Sequence, residues 1–453
     1  MKKRFIELKP HFEEWLKNQN TNSIYPSEIA YVLKNIYKNF GLDHFLENLK
    51  KIESESLGEV LLELPDKTRI VSIENLDSEI LASAIKLLQS DDAVELVREI
   101  EFYNSTKARQ VLLLLDIGNK AEIDTLLKYE DDQAGAWMQT EFFYAFEMEN
   151  ISDSIKRLKE LKESGELREV YQLFIVDRTF KYLGYLGIDD LLIKNQTDKF
   201  SDILKETNRT KGNLVCATDD IKTVSHMFED YNIQVIPVVD KKERIIGRIT
   251  SDDAFEMIEE ITTEQVYSMA GVNDDVEEES NLTEIIKSRA YWLGINLLTA
   301  ILASLVIGIF DSTLQALIPL AILMPIVASM GGNAGTQTLT VVVRQIALGE
   351  IENGEGREII RKEVIVSIFN GLIFAVVISI ITFFWFGQYM LGVVIGISMI
   401  VNLFVAGFFG SVIPLTLRKL KIDPAIGSTV LLTTATDIFG FFVFLGLATL
   451  LLF

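Results

Sequence analysis

The stretch Pro325-Ile-Val-Ala-Ser-Met-Gly-Gly-Asn-Ala-Gly-Thr-Gln337 decides how this chain must fold, because it places glycines and polar side chains inside an otherwise apolar segment. A membrane helix has no water to satisfy freed backbone groups, so such a cluster is tolerable only where the backbone is buried in protein or lines a wet cavity. The pattern therefore predicts a broken helix, kinked at Pro325.

A single carboxylate gives the second sign of function. Asp437 lies within the last hydrophobic segment and is the only ionisable residue that the sequence places deep in any of them. An intramembrane acid costs at least ~2.5 kcal/mol unless something offsets it, so it indicates a functional site. A salt bridge within the bundle is the alternative, but no Lys or Arg lies deep in these segments. A broken helix with a lone acid favours a cation pathway.

Hydrophobic segments define a polytopic, α-helical membrane domain. Five of them follow residue 288, at 290–310, 313–346, 363–387, 389–417 and 424–453. Each exceeds the ~20 residues that a spanning helix needs. Lys and Arg occur after the second and fourth segments but not in the other two connections. The positive-inside rule therefore predicts a cytosolic N-terminus and an extracytosolic C-terminus. Residues 1–20 hold no apolar run, so we expect no cleaved signal peptide.

Charge divides the chain into two halves. Residues 281–453 are formally neutral, so residues 1–280 carry the entire net charge of −22. Such acidity argues against nucleic acid as a partner, since binding to phosphates rewards Lys and Arg. It suits a surface that meets cations, although ordinary solubilising charge would look the same. The lone cysteine, Cys216, excludes a disulfide framework, and all three histidines precede residue 281. The membrane half thus offers oxygen ligands of the kind that suit Mg²⁺ or Ca²⁺, and not the soft or imidazole ligands that suit Zn, Cu or Ni.

The soluble half contains an internal repeat. Phe174-Ile-Val-Asp177 matches Pro237-Val-Val-Asp240, which lies 63 residues later. The same offset relates Gly184 to Gly247 and Asp189-Asp190 to Asp252-Asp253. Each copy predicts a strand, a polar turn, a second strand and a helix with Asp at its N-terminus. The repeat resembles a pair of CBS domains, and the first copy is degenerate, with Gly187 where the second has Thr250.

These patterns predict a multidomain protein of six segments. They are a helical N-terminal extension (1–40), an all-α cytosolic domain (41–135), a first α/β CBS domain (136–200), a second CBS domain (201–262), an acidic connector or gating helix (263–288) and a five-span pore domain (289–453).

In this order, the segments resemble the MgtE family of magnesium channels from about residue 41 to the end. The residues that carry the resemblance are Pro325–Gln337 with Arg344 and Leu348-Gly-Glu350, Asp423-Pro424, Thr434-Ala-Thr-Asp-Ile438, Asp132-Gln-Ala-Gly-Ala-Trp-Met138 and Tyr267-Ser-Met-Ala-Gly271. The resemblance implies a bacterial plasma (inner) membrane, contact with lipid, and a homodimer whose pore lies between the subunits. It also implies that the cytosolic domains close the pore when intracellular Mg²⁺ is high.

The predicted pore site centres on Asp437, since two such acids in a dimer balance one divalent ion without stripping its water. Its predicted lining residues are Gly332, Asn333, Thr336, Gln337, Thr429 and Thr433. Thr429, Thr433 and Asp437 follow at i, i+4 and i+8, so they share one face of the last helix. Two alternatives stay open. Gly331 and Gly335 form a Gly-x3-Gly pair that can serve helix packing alone, and the two threonines can bond to carbonyls one turn back. Asn402 fits an interhelical contact better than a ligand.

Regulation is predicted to depend on Mg²⁺ bridging acidic faces of the cytosolic domains. The candidate ligands are Asp132, Asp252, Asp253, Glu259, Glu260 and Glu264, with the acidic residues of 274–279 as a reserve. A helix cap is the alternative for Asp252, and a solvated face is the alternative for the others. Thr250-x-x-Asp253 resembles the ribose-contacting pattern of nucleotide-binding CBS domains, so ATP or AMP is a further candidate ligand at Thr250 and Asp253.

The predicted function is Mg²⁺ influx down its electrochemical gradient, closed by cytosolic Mg²⁺. A broader Co²⁺ or Mn²⁺ transporter and a non-conducting membrane sensor of Mg²⁺ or nucleotide are the alternatives. We do not expect an enzyme. The chain has no Gly-x4-Gly-Lys-Ser/Thr phosphate loop. An aspartyl intramembrane protease is the enzyme alternative; it needs two carboxylates at one site, and the spans supply one Asp unless dimerisation brings two Asp437 residues together.

Overall fold

The computed structural model describes residues 2–19, 24–207, 212–272, 282–351 and 354–452. The chain separates into two compact units, Met1–Ile258 and Glu259–Phe453. The predicted acidic cluster at 274–279 lies outside the described residues.

Nine helices open the described part of the first unit. They are α1 (Lys2–Asn18), α2 (Pro26–Phe40), α3 (Leu42–Leu49), α4 (Ser54–Leu62), α5 (Asp66–Asn75), α6 (Ser78–Ile85), α7 (Ser90–Tyr103), α8 (Ser105–Leu114) and α9 (Ile117–Leu126). Polar side chains cap the N-termini of some of these helices. At α9, for example, the Asp116 side chain accepts a 3.0 Å hydrogen bond from the backbone N–H of Asn119. Helix α2 lies in the predicted extension, yet it buries Val32, Leu33 and Ile36 and contacts α3 and α4. It therefore belongs to the helical core.

Two small α/β modules complete this unit. The first contains β1 (Tyr144–Phe146), α10 (Ile151–Ser164), β2 (Gln172–Val176), β3 (Tyr182–Gly187), α11 (Ile188–Ile193) and α12 (Phe200–Thr207). The second contains β4 (Val215–Cys216), α13 (Ile221–Tyr231), β5 (Val235–Val239), β6 (Ile245–Thr250) and α14 (Ser251–Ala270), which continues into the second unit. Each sheet has a parallel pair followed by an antiparallel pair, in the order β1-β2-β3 and β4-β5-β6.

The strand register confirms the internal repeat residue by residue. Ile175 pairs with Gly184 in the first sheet and Val238 pairs with Gly247 in the second, at the predicted offset. Both sheets are irregular at the same place, between Ile175 and Val176 and between Val238 and Val239. The repeat is thus a pair of structurally equivalent modules, as expected for two CBS domains.

The second unit is a bundle of long apolar helices. After α14 these are α15 (Leu282–Ile309), the short α16 (Asp311–Ala316), α17 (Pro319–Ala347), α18 (Gly356–Phe386), α19 (Tyr389–Lys419) and α20 (Ser428–Leu452). Helix α19 is central to the bundle, since it contacts α17, α18 and α20 and buries residues along its length. Within the described residues, four helices are long and apolar enough to cross a membrane, namely α15, α18, α19 and α20.

The predicted five spans are therefore confirmed only for four segments. The remaining segment, 313–346, divides into α16 and α17. Helix α17 has 29 residues, which at 1.5 Å each is about long enough to span, but its polar and glycine positions make it less apolar than its neighbours.

The predicted break in this segment is wrong, because α17 is helical without interruption from Pro319 to Ala347 and includes Pro325. The glycines pack rather than break the helix. A Cβ on Gly335 would lie 2.8 Å from Leu432 Cδ1, and one on Gly331 would lie 2.5 Å from Asn402 Nδ2. Small residues at these positions let neighbouring helices approach closely, which was the alternative interpretation of the Gly-x3-Gly pair.

Candidate functional site

Helix α17 presents a polar face that the described residues of the second unit leave exposed. Asn333 and Gln337 are exposed, and Thr340 and Arg344 continue the same exposed stripe along the helix. Gly332 and Thr336 are partly buried beside it, and the Thr336 hydroxyl donates a 2.9 Å hydrogen bond to the Gly332 carbonyl. Nothing in the described chain meets a Cβ built on Gly332 within 4 Å. The four predicted lining residues of α17 therefore lie next to open space, whereas Gly331 and Gly335 face the bundle.

Helix α20 carries Asp437 one turn after Thr433. Asp437 and Thr433 are both partly buried, one turn apart on the same helix. The Thr433 hydroxyl donates a 3.0 Å bond to the Thr429 carbonyl, as the alternative interpretation of the threonines expected. The Thr429 hydroxyl instead donates 2.8 Å to the Met269 carbonyl at the end of α14.

The last turn of α14 is thus fixed to the start of α20. Helix α14 ends because Gly271 adopts a left-handed conformation, with φ of +71°. The side chain of Met269 packs on a buried cluster formed by Leu339, Val343, Ala425 and Leu432. Met269 therefore packs against both α17 and the start of α20.

A second buried carboxylate in the bundle was missed by the sequence analysis. Glu363, on α18, is buried and accepts a 3.3 Å hydrogen bond from the Thr338 hydroxyl of α17. It stands at the first residue of an apolar segment in the sequence, which concealed its burial.

The first unit contains a cluster of carboxylates where α7 and α14 begin. Asp91 and Asp92 lie in the first turn of α7, and Asp253 lies in the first turn of α14. One oxygen of Asp91 accepts a 2.9 Å bond from the Gln139 amide. One oxygen of Asp253 accepts from both the N–H and the hydroxyl of Thr250, at 2.8 and 2.7 Å.

Burial and mutual repulsion raise the pKa values of these acids. Burial, followed by the charge of Asp91, raises the pKa of Asp92 to about 8 and that of Asp253 to about 9. Burial and the charges of Glu95 and Asp91 raise the pKa of Glu256 to about 7. A group of acids whose pKa values are raised in this way lacks enough positive charge around it.

The predicted regulatory residues fall in different places. Asp253 belongs to the carboxylate cluster, and Asp252 is exposed next to it. Asp132 lies elsewhere, where its carbonyl accepts from the Ile221 N–H at the start of α13. Glu259, Glu260 and Glu264 lie further along α14, in the second unit. Across the described ranges, no three His, Cys, Asp or Glu side chains are gathered closely enough to hold a metal ion.

A repeated hexapeptide would have revealed the missed half of this cluster. Ser90-Asp-Asp-Ala-Val-Glu95 starts α7, and Ser251-Asp-Asp-Ala-Phe-Glu256 starts α14. The sequence analysis used only the second copy, because the first lies in the helical domain and outside the 63-residue repeat. An Asp-Asp pair is favourable at a helix N-terminus, which explains why each copy begins a helix.

Thr250 and Asp253, the predicted nucleotide contacts, bond to each other. The first CBS module makes the equivalent contact at its degenerate position, where the Gly187 N–H donates 3.2 Å to Asp190. The Asp therefore caps its helix in both modules, and Thr250 adds a hydroxyl that is buried.

Three family profiles match the chain. The profile of the MgtE divalent cation transporter matches residues 324–447, the MgtE intracellular N domain matches 24–132, and the CBS domain matches 212–260. The sequence predicted that the shared pattern begins at about residue 41. The match to the N domain begins earlier, at residue 24. The CBS match falls on the second module, in agreement with a degenerate first copy.

Curated relatives align with most of the chain. The magnesium transporter MgtE of Bacillus subtilis is 25% identical over 94% of this chain and 92% of its own. That of Thermus thermophilus is 28% identical over 80% of this chain and 79% of its own. That of Enterococcus faecalis is 30% identical over 73% of this chain and 71% of its own. At this identity and coverage, together with the profile matches at both ends, the chain belongs to the MgtE family of divalent cation transporters.

Proposed function

We propose that this protein carries Mg²⁺ into the cytosol through a membrane pore and that cytosolic Mg²⁺ closes the pore. The observation that carries the proposal is the uncovered polar face of α17 in a bundle whose neighbouring helix α20 holds Asp437. The relatives that align over most of the chain are named magnesium transporters.

The polar face supports a homodimer. In lipid, polar groups without water or protein partners cost several kcal/mol each, so Asn333 and Gln337 would be unfavourable against acyl chains. A second copy of the chain placed against this face would enclose them around water. Two Asp437 carboxylates would then balance one Mg²⁺, which usually keeps several of its waters and binds through one or two carboxylates. In this arrangement α17 also spans the membrane, as the second of the five predicted spans.

The membrane potential supplies the driving force. Two charges that move inward across the membrane gain about 4.6 kcal/mol per 100 mV. This direction requires the predicted topology, with the first unit in the cytosol and the C-terminus outside. The protein then needs no coupled ATP hydrolysis for uptake.

The carboxylate cluster supports closure by cytosolic Mg²⁺. Bound Mg²⁺ would offset the repulsion between Asp91 or Asp92 on α7 and Asp253 on α14, which holds the starts of the two helices together. Without the ion, these partly buried acids would have no cation to balance them whenever they ionise, so α14 would be held less firmly to α7. Helix α14 continues to Met269, whose carbonyl accepts from Thr429 at the start of α20. Movement of α14 would therefore reach the helix that carries Asp437.

A nucleotide at the CBS pair is a narrower proposal. Thr250 and Asp253 are the residues predicted to contact the ribose. Their mutual hydrogen bonds must open before a ribose can enter. Equilibrium dialysis with labelled ATP and AMP tests it. Retention that is lost in Thr250→Val supports the site, whereas no retention at millimolar nucleotide contradicts it.

The test of transport is cation uptake into proteoliposomes. Wild type, Asp437→Asn and the control Asp311→Asn are compared while Mg²⁺ on the cytosolic face is varied and Co²⁺ competes. Asp311 is a suitable control because it is an exposed carboxylate in α16 that pairs with Gln315. We expect the wild type to conduct Mg²⁺ and to stop when cytosolic Mg²⁺ reaches millimolar concentration. Asp437→Asn should abolish this flux, and Asp311→Asn should retain it.

Other outcomes identify the alternatives. Equal uptake of Mg²⁺, Co²⁺ and Mn²⁺ would indicate a broader transporter. Folded wild-type protein without flux at any Mg²⁺ concentration would refute transport and favour a membrane sensor. Full flux in Asp437→Asn would show that this carboxylate is not the pore ligand.

A further inference from the structure

Asn402 of α19 is a buried polar residue that contacts both α17 and α20. Asn402 of α19 is 1% exposed, and its Nδ2 donates a 2.7 Å hydrogen bond to the Val327 carbonyl of α17. Its other amide atom, Oδ1, has no hydrogen-bond partner among the described residues. A buried acceptor without a donor destabilises the packed state, because it gives up its hydrogen bonds to water.

Two glycines on different helices approach the amide closely. A Cβ on Gly331 of α17 would lie 2.5 Å from Asn402 Nδ2 and 2.8 Å from Oδ1. A Cβ on Gly440 of α20 would lie 2.9 Å from Oδ1. Contacts under 3 Å are too short for a methyl group, so both helix backbones touch the amide directly. Asn402 is therefore the spacer between α17 and α20 at this level.

The spacer stands beside the predicted pore residues of both helices. Gly331 immediately precedes Gly332 and Asn333, and Gly440 follows Asp437 by three residues. Residues three apart lie on neighbouring positions of one helix face. A shift in how either backbone rests on Asn402 would move the α17 lining segment relative to the carboxylate of Asp437.

We propose that Asn402 is a positioning residue for ion selectivity, whose amide sets the separation between the pore-lining segments of α17 and α20. The inference rests on the proposed transport of Mg²⁺. Packing alone does not require an amide here, since an apolar side chain of similar shape would remove the cost of the unpaired oxygen. An amide supplies a directional bond to α17 that leucine lacks. Packed helices transmit such small shifts because protein interiors are dense.

The experiment compares cation selectivity in the full-length protein. Asn402→Leu keeps the branched shape and the number of heavy atoms of the side chain and removes the bond to Val327. Gly440→Ala keeps Asn402 and displaces it from the other side. Ser398→Ala is the control, because Ser398 lies one turn earlier on α19, is buried, and bonds to the Val394 carbonyl of its own helix. The measured quantity is the ratio of Mg²⁺ to Co²⁺ uptake in proteoliposomes, with folding checked by gel filtration.

We expect both Asn402→Leu and Gly440→Ala to change this ratio by about tenfold, which corresponds to ~1.4 kcal/mol between the two ions. Ser398→Ala should keep the wild-type ratio. Reduced flux with an unchanged ratio in the variants overturns the inference, because packing alone would lower the amount of active protein for both ions equally. If Asn402→Leu does not fold, Gly440→Ala decides in the same way. Wild-type protein without any flux overturns the proposed function first, so the two failures are distinguishable.

Discussion

The hydroxyl of Thr429, at the start of α20, donates a 2.8 Å hydrogen bond to the carbonyl oxygen of Met269, in the last turn of α14. Met269 has no i+4 amide within α14 to occupy this carbonyl, because the helix ends at Ala270 and its terminal carbonyls need other partners. The hydroxyl of a predicted pore residue therefore caps the helix that comes from the carboxylate cluster. This bond is the direct link between the proposed sensor helix and the helix of Asp437.

Removal of this bond should make closure incomplete. Thr429→Val keeps the shape of the side chain and leaves the Met269 carbonyl without its donor. A net hydrogen bond contributes about 1 kcal/mol, so we expect residual flux at saturating cytosolic Mg²⁺ to rise about fivefold. The measurement is uptake against cytosolic Mg²⁺ concentration. Thr434→Val is the matched control, since the Thr434 hydroxyl bonds to the Val430 carbonyl of its own helix. Equal residual flux in the two variants would show that the bond between Thr429 and Met269 has no part in closing the pore.

A second contact holds the same turn of α14. The indole of Trp292, on α15, lies between two glycines. A Cβ on Gly271 would be 3.7 Å from its Cδ2, and one on Gly427 would be 3.3 Å from its Cη2. Both glycines have left-handed backbones, with φ of +71° and +67°. The ring thus connects the end of α14 to the turn that precedes α20.

Truncation of this ring should weaken the effect of cytosolic Mg²⁺ while leaving the open pore intact. For Trp292→Ala, we expect the Mg²⁺ concentration that halves the flux to rise about threefold to tenfold, or ~0.7–1.4 kcal/mol. Flux titrations measure this shift, with Trp385→Ala as the control at an exposed position near the C-terminal end of α18. A fall in maximal flux at low Mg²⁺ without a shift in the midpoint would instead place Trp292 in the conducting path.

The sequence predicted the parts of this protein that depend on periodic patterns. The 63-residue offset anticipated the register of two sheets, since paired strands and their turns need the same residue types at the same spacing. It did not predict the joining of Asp91 to Asp253, because that contact comes from the packing of two domains and not from local propensity. The prediction of a broken helix was wrong because it relied on a local pattern alone and left the tertiary contacts out. The local signal at Gly331 and Gly335 was interpreted as a backbone feature, whereas Asn402 and Leu432 occupy the space that these glycines leave.

Two glycines of α17 should differ in their tolerance of a methyl group. At Gly335 the new Cβ would lie 2.8 Å from Leu432 Cδ1, so Gly335→Ala forces a buried leucine to move. Overpacking of this kind costs about 1–3 kcal/mol. At Gly332 nothing lies within 4 Å, and alanine favours a helix by up to about 1 kcal/mol over glycine. Thermal unfolding in detergent should therefore show a lower midpoint for Gly335→Ala and an equal or higher one for Gly332→Ala. A lower midpoint for both would indicate that the face of Gly332 is covered in the assembled protein.

We expect the carboxylate cluster to make the stability of the first unit depend on pH and, under the proposed function, on Mg²⁺. The pKa values of Asp92 and Asp253 are raised to about 8 and about 9 in the folded protein, above the ~4 of an unfolded chain. The folded state therefore binds more protons than the unfolded state between these values. Its stability is fully present near pH 4 and falls as the pH rises through about 8 to 9. Mg²⁺ should offset this loss, by about 2.7 kcal/mol at a concentration 100 times its Kd.

Unfolding midpoints of the full chain, measured from pH 5 to 9 with and without Mg²⁺, test this dependence. Asp253→Asn removes one titrating group and keeps an oxygen that can accept from Thr250, so its pH profile should be shallower and its gain from Mg²⁺ smaller. Asp177→Asn is the control, because Asp177 lies in the turn of the first CBS module, where bonds from Thr179 lower its pKa. It should keep both the steep profile above pH 5 and the full gain from Mg²⁺. If Asp253→Asn behaved like Asp177→Asn, the start of α14 would not be where Mg²⁺ acts.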